Sequence, residues 1–172
     1  MRRHVLEASQ WVAAGLESSF AFFSDPANLA RITPPELRFL ILTPGPIEMR
    51  AVARIDYRIR LRGIPMRWTS LIEVWEPNAR FVDVQARGPY RLWRHEHTFQ
   101  PLDGGTLVGD RVEYGLPFFP LGELVHPLVV RPDLDRIFSF RHAAVRRLLE
   151  RSTGGAPDAR RAGGESPGTE AA

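Results

Sequence analysis

His95 and His97 stand two residues apart in the stretch Gly88-Pro89-Tyr90-Arg91-Leu92-Trp93-Arg94-His95-Glu96-His97-Thr98-Phe99. Side chains alternate faces along a β-strand, so Trp93, His95, His97 and Phe99 share one side. Two imidazoles among two aromatic rings are unusual for a solvated surface. An apolar wall carrying two titratable groups is what a small-molecule pocket requires. Such a wall could ligate a metal, transfer protons, or simply orient a bound molecule.

Metal ligation needs a third group. Asp83 or Asp110 could supply it, but only through a strand register that the sequence leaves open, and no Glu or His follows at the spacing His-x-His sites use. No metal and no cofactor are expected. Acid–base chemistry would use His95 or His97, oriented by Asp110, as a base near neutral pH, with Tyr114 donating to a developing oxyanion. The chain has no Cys, no Gly-x-Ser-x-Gly and no Ser placed beside a base, so covalent catalysis is not expected. Cyclisation, dehydration or isomerisation stays open. The third reading ranks first: histidines satisfied by carboxylates, facing a ligand without transforming it.

The elements that position these residues follow from periodicity. His4 to Val12 reads as a strand, Leu16 to Ser24 as a helix, and Asp25-Pro26 caps a second short helix through Ala30. Ile55, Tyr57, Ile59 and Leu61 alternate with Arg54, Asp56, Arg58, Arg60 and Arg62, a period of two. Strands near 66–75, 80–87, 90–100 and 106–115 follow, joined by turns at Pro77-Asn78, Gly88-Pro89 and Asp103-Gly104-Gly105. Short loops between consecutive strands predict an antiparallel meander. Pro132 then opens a long helix at its first position, with Leu134, Ile137, Phe138, Val145, Leu148 and Leu149 as its apolar stripe. That stripe must cover one sheet face, giving an α+β domain.

The charged face opposite Ile55 points outward, so facing propagates from strand to strand. The inward set is Ile55 and Tyr57; Met66, Trp68, Ser70, Ile72 and Val74; Phe81, Asp83 and Gln85; Trp93, His95, His97 and Phe99; and Val108, Asp110, Val112 and Tyr114. Asp83 pairs with His95, and Asp110 with either His95 or His97. The other face of 80–87 (Val82, Val84, Ala86) is the more apolar, which argues against an inward Asp83. Arg141, near the helix stripe, either reaches the carboxylates or snorkels to the helix edge. The expected ligand-binding residues are therefore Tyr57, Trp68, Ser70, Asp83, Gln85, Trp93, His95, His97, Tyr114, Phe138 and Arg141.

Composition bounds the rest. The chain of 172 residues is 44% hydrophobic, enough for one domain with a sizeable core. All 23 basic residues are Arg, yet the net charge is only +3. The arginines of the Ile55 strand read as a solvated face, and no exposed aromatics interleave with them, so nucleic acid is not an expected partner. No signal-peptide core or membrane-length apolar run is present, and a cytoplasmic location is expected. A domain at 1–151 precedes a Gly-, Ala- and Pro-rich tail at 152–172 that reads as disordered. Leu116-Pro117-Phe118-Phe119-Pro120-Leu121-Gly122 could gate a cavity, touch a membrane transiently through Phe118 and Phe119, engage a protein, or pack on the sheet end. The chain is expected to be a monomer or dimer.

Taken in order, Trp68, Phe81-x-Asp83-x-Gln85, Gly88-Pro89-Tyr90-x-x-Trp93-x-His95-x-His97-x-Phe99, Gly104-Gly105-Thr106, Asp110-x-Val112-x-Tyr114-x-Leu116-Pro117 and Ile137-Phe138-x-x-Arg141 resemble the START-like SRPBCC superfamily. The likeness is to the branch of polyketide cyclases/dehydrases and coenzyme Q-binding proteins, over residues 4 to about 150. It implies a helix-grip fold, a curved antiparallel sheet around a long C-terminal helix with two small helices near the start. It also implies an apolar cavity for a lipid, isoprenoid quinone, polyketide or other hydrophobic molecule. Catalytic residues do not transfer with the resemblance, because members use different cavity residues.

Overall fold

The computed structural model describes residues 2–153. Strand β1 (His4–Val12) leads into helix α1 (Leu16–Ser24), a 3₁₀ segment (Pro26–Arg31), a single 3₁₀ turn (Pro35–Leu37) and the two-residue strand β2 (Leu40–Ile41). Five long strands follow: β3 (Arg54–Leu61), β4 (Ile64–Glu76), β5 (Arg80–Arg87), β6 (Leu92–Leu102) and β7 (Gly105–Gly115). Helix α2 (Leu121–Val125), a π-helical turn (His126–Val130) and helix α3 (Arg131–Thr153) complete the described chain. The rest of the expected tail lies outside the described residues.

The seven strands form one antiparallel sheet in the order β1-β7-β6-β5-β4-β3-β2. The meander from β3 to β7 follows the sequence pattern, while β1 adds to its far edge beside β7. The β6–β7 register rests on a two-residue turn, Asp103-Gly104, between paired Leu102 and Gly105. Both turn residues have positive φ, 48° and 76°, the backbone twist that matches flanking strands and that an Asp-Gly pair adopts at little cost. This turn sets His97 opposite Asp110. Asp83 stands opposite His95.

Helix α3 covers the concave face in two places. Leu134 and Phe138 pack with Leu6, Val112 and Tyr114. Further along, Ala144, Val145 and Leu149 join Val12, Val108, Phe99 and the α1 residues Phe20 and Phe23. Each of these large buried side chains contributes about 1.5–3 kcal/mol. The sheet thus grips the helix at both ends.

Two local readings are corrected, and one strand is added. Val74 was expected inward, but a bulge in β4 between Ile72 and Val74 inserts an extra residue and reverses the parity, so Trp75 turns in against Phe20 and Phe81. Pro132 does not open the long helix, because helical backbone already runs from Leu121. The widened turn in between, where the Arg131 N–H reaches the His126 carbonyl, lies between Pro127 and Pro132, which have no N–H to donate. Strand β2 carries no period of its own and exists only as an edge partner for Tyr57 and Arg58.

Candidate functional site

Between the gripped ends lies a cavity of about 170 Å³. Its sheet wall is formed by Ile55, Tyr57, Ile59, Trp68, Ser70, Ile72, Phe81, Asp83, Trp93, His95 and His97, and α3 closes it with Leu134, Ile137, Phe138 and Arg141. The inward parity of β3, β4, β5 and β6 is what delivers these side chains to one space. Voids near 150 Å³ hold one benzene ring, so this one has room for about one ring.

The polar groups gather in one place. His95 Nε2 lies 2.8 Å from Asp110 Oδ1, and His97 Nδ1 lies 2.9 Å from the same oxygen, though not aligned for a hydrogen bond. On the cavity side, Asp83 Oδ2 is 3.7 Å from His95 Nδ1 and 3.6 Å from His97 Nε2. The Ser70 hydroxyl donates to Asp83 Oδ1 at 3.2 Å, and Tyr57 Oη meets Ser70 Oγ at 3.3 Å. The Arg141 guanidinium reaches inward to 3.9 Å from Asp110 Oδ1 and sits over the Phe138 ring. His142 Nε2 lies 3.9 Å from Asp110 Oδ2, so two carboxylates, three imidazoles and one guanidinium gather in one largely buried cluster.

Their protonation follows from burial and charge. Burial pushes the Asp110 carboxyl up, but the His142, His95 and His97 imidazoles around it outweigh that and hold it well below the usual range. Asp83 behaves alike: burial is overcome by His97, His95 and Arg141, and its carboxyl is lowered. His95 is pushed down to about 4 by burial first and then by neighbouring His97. For His97, burial is outweighed by Asp110 and Asp83, and it is raised. The lowered carboxyls and the raised His97 thus favour their charged forms beside the Arg141 guanidinium, while the lowered His95 favours its neutral form. Tyr57 is raised by burial and by the Asp83 charge, so its hydroxyl keeps its proton.

Of the residues expected in the site, Tyr57, Trp68, Ser70, Asp83, Trp93, His95, His97, Phe138 and Arg141 line the cavity. Gln85 and Tyr114 do not. The Gln85 amide donates to the Tyr90 carbonyl at 2.7 Å and accepts from its N–H at 3.2 Å, clamping the β5–β6 loop. A side chain at Gly88 would collide with that amide. The Tyr114 hydroxyl meets His126 Nε2 at 2.8 Å, in the core beneath the π-helical turn, and so is not placed to serve an oxyanion in the cavity. Asp110 stands behind the imidazoles as their anchor. Unforeseen wall residues include Phe23 of α1 and Leu37, Phe39 and Met49. The last three sit in segments with no hydrophobic period.

Trp68 is buried in the wall with its Nε1–H unpartnered. A buried donor without an acceptor is uncommon in a protein interior. At the surface, Phe118 is 81% exposed and Phe119 66%, and Leu121, Leu124 and Leu128 continue this apolar ridge along α2 and the following turn. No described helix is long and apolar enough to cross a membrane.

Residues 12–138 match the family described as polyketide cyclase/dehydrase and lipid transport. The chain belongs to that family. Among solved structures, it is similar to the Zhui aromatase/cyclase from Streptomyces sp. R1128, at 17% identity over 91% of this chain and 99% of that one, with a TM-score of 0.73. A START superfamily protein from Mycobacterium smegmatis superposes with a TM-score of 0.63, at 16% identity over 84% and 99% of the two chains. The di-domain ARO/CYC StfQ of steffimycin biosynthesis matches at 15% identity and a TM-score of 0.64, over 88% of this chain and 52% of that one. No curated protein matches the sequence. At these identities the likeness establishes the helix-grip fold of this family member and leaves its chemistry to its own residues.

Proposed function

We propose that this protein binds a lipophilic molecule carrying a compact polar head, a polyketide, isoprenoid quinone or lipid-like compound. The observation that carries the reading is the polarity gradient of the cavity: aromatic and aliphatic walls converge on Asp83, His95, His97 and Arg141. A carbonyl or hydroxyl head finds donors in Arg141, His97 and the unpartnered Trp68 Nε1–H, and acceptors in Asp83 and neutral His95. Apolar burial supplies affinity while these few groups fix orientation. Native mass spectrometry with a panel of ring-containing lipophiles tests this. Saturable one-to-one uptake is expected, and absence of uptake across the panel overturns the reading.

One observation favours a second reading as a cyclase or dehydratase. A neutral His95 held by Asp110 is in the right protonation state to accept a proton at neutral pH. His95→Ala and His97→Ala variants that still bind ligand should then lose turnover of a polyketide-like substrate. Retained turnover excludes the role.

The exposed Phe118 and Phe119 support a lipid surface as the place where such a ligand is collected. Phe118 borders a depression that also carries Arg67, Arg87 and Arg91, a combination suited to the apolar and anionic layers of a bilayer face.

A further inference from the structure

We propose that Asp83, His95 and His97 form a binding site for one divalent transition-metal ion of the zinc type, open toward the cavity. The three side chains come from two neighbouring strands, β5 and β6, and their donor atoms lie within 4.8 Å of one another. Asp83 Oδ2 stands 3.6 Å from His97 Nε2 and 3.7 Å from His95 Nδ1, too far for hydrogen bonds. Those separations suit a shared ion instead. Two ligands at about 2.1 Å on a tetrahedral centre lie about 3.4 Å apart.

The groups behind the ligands are also those a metal site uses. Imidazoles that bind metals present one nitrogen to the ion while a carboxylate or carbonyl holds the other. Here Asp110 Oδ1 is hydrogen-bonded at 2.8 Å to the far nitrogen of His95 and lies 2.9 Å from that of His97, out of line for a hydrogen bond. Asp83 is oriented in turn, its second oxygen accepting from Ser70. Arg141, the guanidinium in the cavity wall, is directed at Asp110. Asp83 is left to meet the ion.

Both imidazoles are buried, so an ion here would be reached only through the cavity. Two nitrogens and one oxygen leave coordination positions vacant on the cavity side, where a carbonyl or hydroxyl oxygen of a bound molecule could complete the shell. The sequence offers Asp83 or Asp110 as the third ligand and leaves the register open; the Asp83–His95 pair across the sheet selects Asp83.

The test is titration of the full-length, chelator-treated protein with Co²⁺, followed by visible absorption and equilibrium dialysis, with Zn²⁺ as competitor. One Co²⁺ per chain, a d–d spectrum of low-symmetry coordination and displacement by Zn²⁺ are expected. Asp83→Asn and His97→Ala should each weaken Co²⁺ binding at least tenfold, and Asp110→Asn by about 10–100-fold, as for groups that hold metal ligands. Circular dichroism establishes that each variant is folded. Failure of the wild type to take up Co²⁺ overturns the inference, as does equal binding by wild type and a folded Asp83→Asn variant. Lipophile uptake by the metal-free protein is measured separately, so either result can fail without the other.

Discussion

His95 reaches diagonally across the β6–β7 pair to Asp110, at 2.8 Å, although Asp110 stands directly opposite His97. One carboxylate oxygen is therefore hydrogen-bonded to His95 and lies 2.9 Å from His97 Nδ1. The two-residue Asp103-Gly104 turn is what makes this possible. A shift of register by one residue would send both imidazoles to the opposite sheet face.

Asp110 should be the most sensitive polar position in the domain. Asp110→Ala leaves His95, His97 and Arg141 buried without their shared anion, and a loss of about 3–5 kcal/mol is expected. Asp110→Asn should recover part of this by filling the same space. Urea denaturation measures both, and a change below about 1 kcal/mol would show that the anion is not what holds the imidazoles.

The pH dependence follows from His95. Its folded value near 4 lies below its ordinary 6.5, so between these pH values the unfolded chain takes up a proton that the folded chain refuses. Stability from His95 is complete above about pH 6.5 and declines as pH falls toward 4. His97, raised from 6.5, acts oppositely, and its share is lost as pH climbs through its folded value. The lowered Asp83 and Asp110 lose theirs only as pH drops below their ordinary 3.8. His95→Gln should flatten the fall of Tm between pH 6.5 and 4. An unchanged slope would contradict a neutral His95.

Trp68→Phe removes an unpartnered buried donor while keeping most of the ring surface. Stability should stay within about 1 kcal/mol of wild type, because no hydrogen bond within the protein is lost. Affinity for carbonyl-bearing ligands should fall about fivefold to tenfold, equivalent to one hydrogen bond. Affinity for hydrocarbon analogues should not change. Parallel losses for both ligand types would remove the Nε1–H from the site.

Phe118→Ser with Phe119→Ser tests the apolar tip. Both residues are exposed, so thermal stability should change by less than about 0.5 kcal/mol per site. Co-sedimentation with phosphatidylserine vesicles should fall sharply, and wild-type binding should weaken with salt because Arg67, Arg87 and Arg91 contribute. Equal sedimentation of variant and wild type would assign the tip another role.

Much of the architecture was legible because it obeys simple periods. The alternation around Ile55 and Tyr57 and the stripe of Leu134, Ile137 and Phe138 carry the sheet and its helix. Asp83 defied its own strand, whose more apolar side (Val82, Val84) faces away from the cavity. Val82 is nonetheless buried there, on the strand face that carries Arg80 and, across the β5–β6 pair, Glu96 and Arg94, joined by ion pairs. The Val74–Trp75 reversal was not legible, since a bulge leaves no mark in a two-residue period. Gln85 and Tyr114 shared the inward parity, but each was claimed by a nearer partner: the Tyr90 backbone and His126. Phe39 and Met49 enter the wall from irregular chain, where no pattern announces them.

The pairing of β1 with β7 joins segments roughly a hundred residues apart in the chain. During synthesis the first strand emerges early but cannot dock until the last one is made. The hairpins from β3 to β7 are local and quick to assemble, while closure at β1 is the long-range step. Until then the buried side of β1, with Leu6 and Val12, faces water. Closure at β1 is therefore the step that finally removes this apolar side from water.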